Sequence, residues 1–358
     1  MESLCKAIVA IVIFFGVTHT SYSQVSKSLS DTLAVNDIES LSISNQYGDI
    51  VVSTWDQDQI GYDVQIVVLK DDTDVAEDLL ERLVYSVKEF NSDLKFDFEV
   101  QEMNAGFFER LWSDITLEID QSAIQINAEL TVPKDLTLDI TNKFGDITIR
   151  DWSGDLTIKQ KHGDVKVSGN VINLRLDQSF GDADFNSIDD ARIEIRNVEF
   201  KAKRIEEFNI ESHGSEIKLD NAMRIVLYSN KDDLTIDHVN RVKGSINYGS
   251  FIIEELVEQI QATLKLTDLT IKNIVNEDAD ITIDQTNSEI DINLNGLSMD
   301  IDATLQDGLF KVPEADSVLE TTQLDDKEEN RTIIGSIGAN PKGKIVIEGK
   351  KGVIIIRE

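Results

Sequence analysis

The chain has 358 residues, 41% of them apolar, with only three prolines, and its 67 acidic against 34 basic residues leave a net charge of −33. That apolar fraction excludes an intrinsically disordered chain. The charge argues against nucleic acid and anionic membrane surfaces as partners.

The first two dozen residues read as a secretory signal peptide. A short head carrying Lys6 precedes the apolar run Ala7–Val17, and Ser21-Tyr22-Ser23 puts small residues at the −3 and −1 positions of a cut before Gln24. The run is too short to span a bilayer. The lone cysteine, Cys5, lies inside this segment, so the mature chain is expected to lack disulfides and thiolate metal sites. The expected organisation is a signal peptide over 1–23, an N-terminal β region over 24–135 and repeats over 136–358, continuous with the preceding region.

From Ser40 to Val68 apolar residues alternate with polar ones (Leu41, Ile43; Ile50, Val52; Tyr62, Val64, Ile66, Val68), the mark of strands with one buried face. Asp71–Phe90 departs from that period. Val75, Leu79, Leu80, Leu83, Val84 and Val87 recur at helical spacing, with Asp74 and Glu77 placed as a capping box. One amphipathic helix over about 72–90 is predicted, capping the end of the β structure. Alternation resumes at Leu94–Val100 and Ile115–Leu130. Between them stands an apolar interruption, Ala105–Trp112, whose Phe107, Phe108 and Trp112 are a candidate binding patch for sugar or a partner, set against the plainer reading of tucked packing.

A short phrase then recurs: Phe144-Gly145-Asp146, His162-Gly163-Asp164 and Phe180-Gly181-Asp182, with the glycines evenly spaced, and an earlier copy at Tyr47-Gly48-Asp49. Trp55 and Trp152 each follow a phrase glycine by seven positions. Positions two and four after each glycine are apolar, as in Ile147 and Ile149 or Val165 and Val167, and a second short strand follows, as in Leu156 and Ile158. A glycine-permitted bend, a strand with one face inward, and a period of about 18–20 residues describe stacked β repeats. The fold class predicted is all-β: a single-stranded β-solenoid of short rungs with one helix near its N-terminal end. Later copies (Gly214, Gly249, Asn287, Gly308) mostly fall near twice that spacing, which suggests that alternate corners have lost their glycine and that Asn287 replaces one. Asp316–Arg331 reads as a charged surface loop. Lys344–Glu348 and Gly352–Arg357 read as a final hairpin blunting the far edge.

The run Leu130-Thr131-Val132-Pro133-Lys134-Asp135, followed by Asn142-Lys143-Phe144-Gly145-Asp146-Ile147, resembles the entry to the putative adhesin domain family of bacterial exported β-helix proteins. The later Gly-Asp copies and the Gly352-Val353-Ile354-Ile355-Ile356 strand are also similar to it, and the Ser-Tyr-Ser signal ending resembles those of the Bacteroidetes. The resemblance covers most of the mature chain and is densest over Asn45–Ile195. It implies a β-helix and an envelope location, and it supplies no catalytic residues.

No nucleophile elbow, phosphate loop, dinucleotide fingerprint or zinc-protease motif is present. His162, His213 and His238 have no partners spaced to complete a metal site. Asp146, Asp164 and Asp182 could form an aspartate ladder for calcium, against the plainer role of aspartate as a turn residue. Asp182-Ala183-Asp184 starts like a calcium loop but lacks the acid at its twelfth position, Ile193. Lys159, Lys161 and Lys166 lie among acids and read as a solvated face. The expectation is therefore an exported, non-catalytic, adhesin-like protein without a cofactor, presenting a repetitive acidic surface to an envelope protein or glycan. It would lie in the periplasm, at the outer membrane or on the cell surface. The alternatives are a structural or signalling-associated envelope protein, and a polysaccharide-active β-helix enzyme.

Overall fold

A computed structural model describes residues 23–35, 37–70, 72–100, 124–134, 136–313, 317–324 and 330–358. The expected signal segment and the Phe107, Phe108, Trp112 patch lie outside the described residues. The chain is all-β, and among the described residues the strands belong to one 23-stranded sheet.

Its centre is built from parallel, in-register ladders between successive repeats. Leu138, Leu156 and Leu174 stand opposite one another on neighbouring strands, as do Ile43, Ile140, Ile158 and Leu176. Further along, Ile217, Leu234, Phe251, Leu269, Ile290 and Ile354 make another such column. All of these side chains are buried. Alternation with period two puts every second residue inside, and in-register pairing puts like over like. The repeat is shorter by a single position where Glu199, Glu216 and Asp233 align than where Leu156 meets Leu174. Phe200 is buried between Phe185 at 5.7 Å and Phe208 at 5.6 Å.

The bends recur, but not always on the expected glycine: at two of the expected copies Tyr248 and Asp307, not Gly249 and Gly308, hold positive φ (58° and 53°). Between the glycine corners, Asn197, Lys231 and Leu266 hold positive φ (53°, 61° and 50°), and Asn287 does the same at 53°. The bend is thus kept where the glycine is lost, at a conformational cost that is greatest for a bulky residue such as Leu266.

Chain order and spatial order differ at both ends. Ser40–Ser44 pairs with Asp93–Val100 on one side and Thr137–Phe144 on the other, and Ile50–Trp55 pairs with Ile124–Pro133 and Ile147–Trp152. The intervening residues form antiparallel additions: Ser23–Ala34 on Gln59–Lys70, the latter on Ile124–Pro133, and Leu83–Phe90 on Asp93–Val100. The helix expected over 72–90 does not form as such. Thr73–Arg82 alone is helical, and Leu83–Phe90 is a strand. Its Val84, Tyr85, Val87 and Phe90 are β-formers, and pairing with Asp93–Val100 outweighs their helical spacing. The cap is Asp72, not Asp74: the N–H of Asp74 donates to Asp72 Oδ1 at 2.9 Å.

Two expectations at the C-terminal end are also corrected. The described parts of the Asp316–Arg331 excursion include paired strand: Ser317–Gln323 and Asn330–Ile337 lie antiparallel, and the latter pairs with Met299–Gln306. The last two strands are not an edge hairpin. Gly343–Lys350 lies parallel between Asp280–Thr286 and Met299–Gln306, and Val353–Arg357 between Glu289–Asn293 and Leu309–Lys311. Edge strands carry unpaired backbone groups, so a late segment gains most by entering where both sides offer partners.

Candidate functional site

The glycine corner of the first repeats recurs with the same geometry. Gly145 has φ 115°, and a Cβ on it would lie 2.2 Å from the Gly48 carbonyl oxygen; Gly163 has φ 124° and would meet the Gly145 carbonyl at 2.2 Å. Each corner thus rests directly on the one before it, and only glycine permits both the bend and the approach.

The residue before each glycine builds an outer ladder. Tyr47, Phe144, His162 and Phe180 stack in nearly parallel planes, with centroids 5.7, 5.1 and 5.0 Å apart. Phe144 and Phe180 remain exposed, at 43% and 45%, while Tyr47 is buried. Burial raises the Tyr47 phenol above its ordinary value, partly offset by the hydrogen bond from Gln46 Nε2 at 2.7 Å.

The residue after each glycine builds a second ladder. The N–H of Asp146 donates to Asp49 Oδ1 at 2.8 Å, that of Asp164 to Asp146 Oδ1 at 2.9 Å, and that of Asp182 to Asp164 Oδ1 at 2.9 Å. Asp146, Asp164 and Asp182, the calcium candidates, are therefore brought into one column, each using its backbone N–H and two of them an Oδ1 to tie repeats together. Among the described residues, no group of three or more His, Cys, Asp or Glu side chains has an arrangement that could hold a metal ion.

A third ladder lies inside. Asn45, Asn142, Gln160 and Gln178, each three positions before a corner glycine, are buried. Asn142 Nδ2 donates to the carbonyls of Gly48 (3.2 Å) and Gly145 (3.1 Å), and Gln160 Nε2 to those of Gly145 and His162 (2.6 and 2.9 Å). Buried backbone acceptors at a sharp bend need such partners. Both the aromatic and the amide ladder were written in the sequence at fixed offsets, −1 and −3 from the glycine. The residue types vary at each offset, which hid them.

The other histidines are not gathered here. His213 ends the Val165–His213 strand opposite Asn230, and His238 Nε2 lies 3.1 Å from Glu255 on the neighbouring strand. Lys159 and Lys161 face outward on Leu156–His162, whereas Lys166 lies beyond the corner on the next strand. At the C-terminal end, a cleft of about 430 Å³ is lined by Gln285, Thr304, Leu324, Asn330 and Gly349, with Asp284 and Glu348 at its wall. Among the described residues, no helix is long and apolar enough to cross a membrane.

No family model matches the chain, and no curated protein matches it. Solved structures similar to it include a putative adhesin from Parabacteroides merdae ATCC 43184, at 14% identity and a TM-score of 0.40, covering 74% of this chain and 96% of that one. A putative lipid binding protein from Parabacteroides distasonis ATCC 8503 is 12% identical with a TM-score of 0.31, covering 94% and 97%. A putative cell adhesion protein from Clostridium sporogenes ATCC 15579 is 11% identical with a TM-score of 0.22, covering 93% and 99%. At these values the likeness assigns no function, and the reading below rests on the chain's own residues.

Proposed function

We propose that the chain is an exported, non-catalytic adhesin-like protein of the cell envelope. In this reading its repeats form a β-solenoid whose outward face offers the same groups at each repeat, acidic over most of its length, to a partner bound multivalently. The observation that carries this is the corner ladder: a ring, a glycine and an aspartate recur from one repeat to the next, the rings about 5 Å apart and two of them, Phe144 and Phe180, exposed. Weak contacts on a stiff, periodic surface add without the cost of ordering it. A non-catalytic role is supported by the use of the corner carboxylates, whose oxygens hold backbone N–H groups. No cofactor is proposed.

Beads coated with the chain should be retained on an array of envelope proteins and glycans. The Phe144→Ser, Phe180→Ser double variant should be retained several-fold less, with an unchanged melt. Equal retention of the two proteins removes the corner from the reading. Release of new reducing ends from any polysaccharide on the array would show catalysis and overturn it.

A further inference from the structure

The face beside the aromatic ladder breaks the charge pattern of the chain. Lys143 and Lys161 occupy neighbouring strands at one register position, between the Asn142–Gln160 and Phe144–His162 pairs. Like charges directly across a ladder oppose each other. Neither lysine has an ion pair or side-chain hydrogen bond among the described residues, and the same holds for Lys159 and Arg175, which point outward on the same face. The acids that share this face include Asp139, Asp155 and Asp177; Asp155 accepts from Asn173 Nδ2 at 2.6 Å, and Asp177 stands opposite Lys159 but not in ion-pair contact. Further along the stack many cations are neutralised: Lys201 by Glu199 at 2.7 Å, Lys218 by Glu216 at 2.6 Å, Arg241 by Glu258 at 2.6 Å. With 67 acids to draw on, a chain that leaves four neighbouring cations unpaired has a local conflict of the kind found where a ligand completes the surface.

The rest of the face says what that ligand is. Its remaining outward positions include the hydroxyl residues Ser42, Ser44, Thr141 and Thr157, and its border is the exposed rim of Phe144 and Phe180. Cations, hydroxyls and apolar ring edges together suit a sugar polymer that carries carboxylates. The net charge of −33 opposes every polyanion at long range, so binding here depends on close contact: a thin polymer can touch the strip alone, whereas a planar anionic membrane would also meet the acidic surface around it.

We propose that this face binds an acidic polysaccharide of the polyuronate class, lying along the stack, with Lys143, Lys161, Lys159 and Arg175 meeting its carboxylates and the ring edges its sugar C–H surface. The proposal rests on reading the stack as a binding surface and names the partner of its basic strip.

Polygalacturonate titrated into the purified chain should bind with an affinity that falls as ionic strength rises. Neutral dextran should not bind. Lys143→Glu with Lys161→Glu should weaken binding roughly tenfold or more, because attraction becomes repulsion at the contact. Lys166→Glu with Lys243→Glu, equal in net charge but off the face, should weaken it far less, and both double variants should melt like the parent. An equal loss in the two double variants, binding of dextran as tight as that of polygalacturonate, or a preference for anionic vesicles would each overturn the proposal. So would a parent chain that does not bind polygalacturonate at all. Retention on the envelope array that persists in that case leaves the adhesive reading standing, and loss of both removes the two together.

Discussion

Asp164 donates its backbone N–H to the Oδ1 of Asp146, one repeat away, at 2.9 Å, and its own Oδ1 accepts the N–H of Asp182 at the same distance. The aspartate after each corner glycine is thus a splice between repeats. Asp164→Ala should cost about 1 kcal/mol, because one charge-assisted bond is lost at an exposed site. Asp164→Asn keeps an Oδ1 acceptor and should cost less. Urea unfolding of the two variants checks this, and an Asn variant as unstable as the Ala variant would show that the charge, not the bond, matters. Millimolar calcium should give no saturable rise in Tm.

The glycine stack predicts a sharp contrast between two substitutions. Gly163→Ala puts a Cβ 2.2 Å from the Gly145 carbonyl at φ 124°, whereas Gly296→Ala at φ 78° meets nothing within 4 Å. The first should cost about 3 kcal/mol or more and the second about 1 kcal/mol. Thermal melts that place the two variants level would remove close stacking as the reason for the repeated glycine.

Phe200 is fully buried between two other rings. Phe200→Ala should destabilise the chain by about 3–5 kcal/mol through lost burial and the cavity left behind. Phe200→Leu should recover more than half of that. Denaturant midpoints distinguish this from a tolerant, loosely filled interior, in which the two variants would behave alike.

Glu199 is held below the ordinary glutamate value of 4.5, first by its hydrogen bond with Lys201 and then by that with Lys218. A lowered carboxylate pKa binds fewer protons in the folded state. The stability it contributes is therefore complete above the ordinary glutamate value and is lost as pH falls through the lower folded value. Glu199→Gln should lower Tm at neutral pH and flatten the acid limb of the Tm–pH curve in that window. The side chain is partly exposed, so added salt should shrink the effect. A variant curve parallel to the parent throughout would contradict the assignment.

Removing residues 343–358 takes away the strands that lie between Asp280–Thr286 and Met299–Gln306 and between Glu289–Asn293 and Leu309–Lys311. The truncated chain should lose cooperative unfolding of its C-terminal part and aggregate through freed strand edges. A truncated chain that melts like the full one would refute the inserted topology.

The sequence by itself determined the all-β class and the inward residues of the central repeats. Ile147, Ile149, Val165 and Val167 alternate because a strand has period two, and Gly145 and Gly163 recur because a bend that stacks on its neighbour admits no side chain. These are local requirements, visible within one repeat. Tertiary structure alone decided what depends on which strand edges are free. Leu83–Phe90 became a strand because Asp93–Val100 was there to pair with it. Ser40–Trp55 met Thr137–Trp152 across the long intervening excursion, and Gly343–Arg357 entered between earlier strands in place of ending the sheet. The basic face was illegible for the same reason: Lys143 and Lys161 lie a full repeat apart in the chain, surrounded by acids, and become neighbours only when the ladder sets their register.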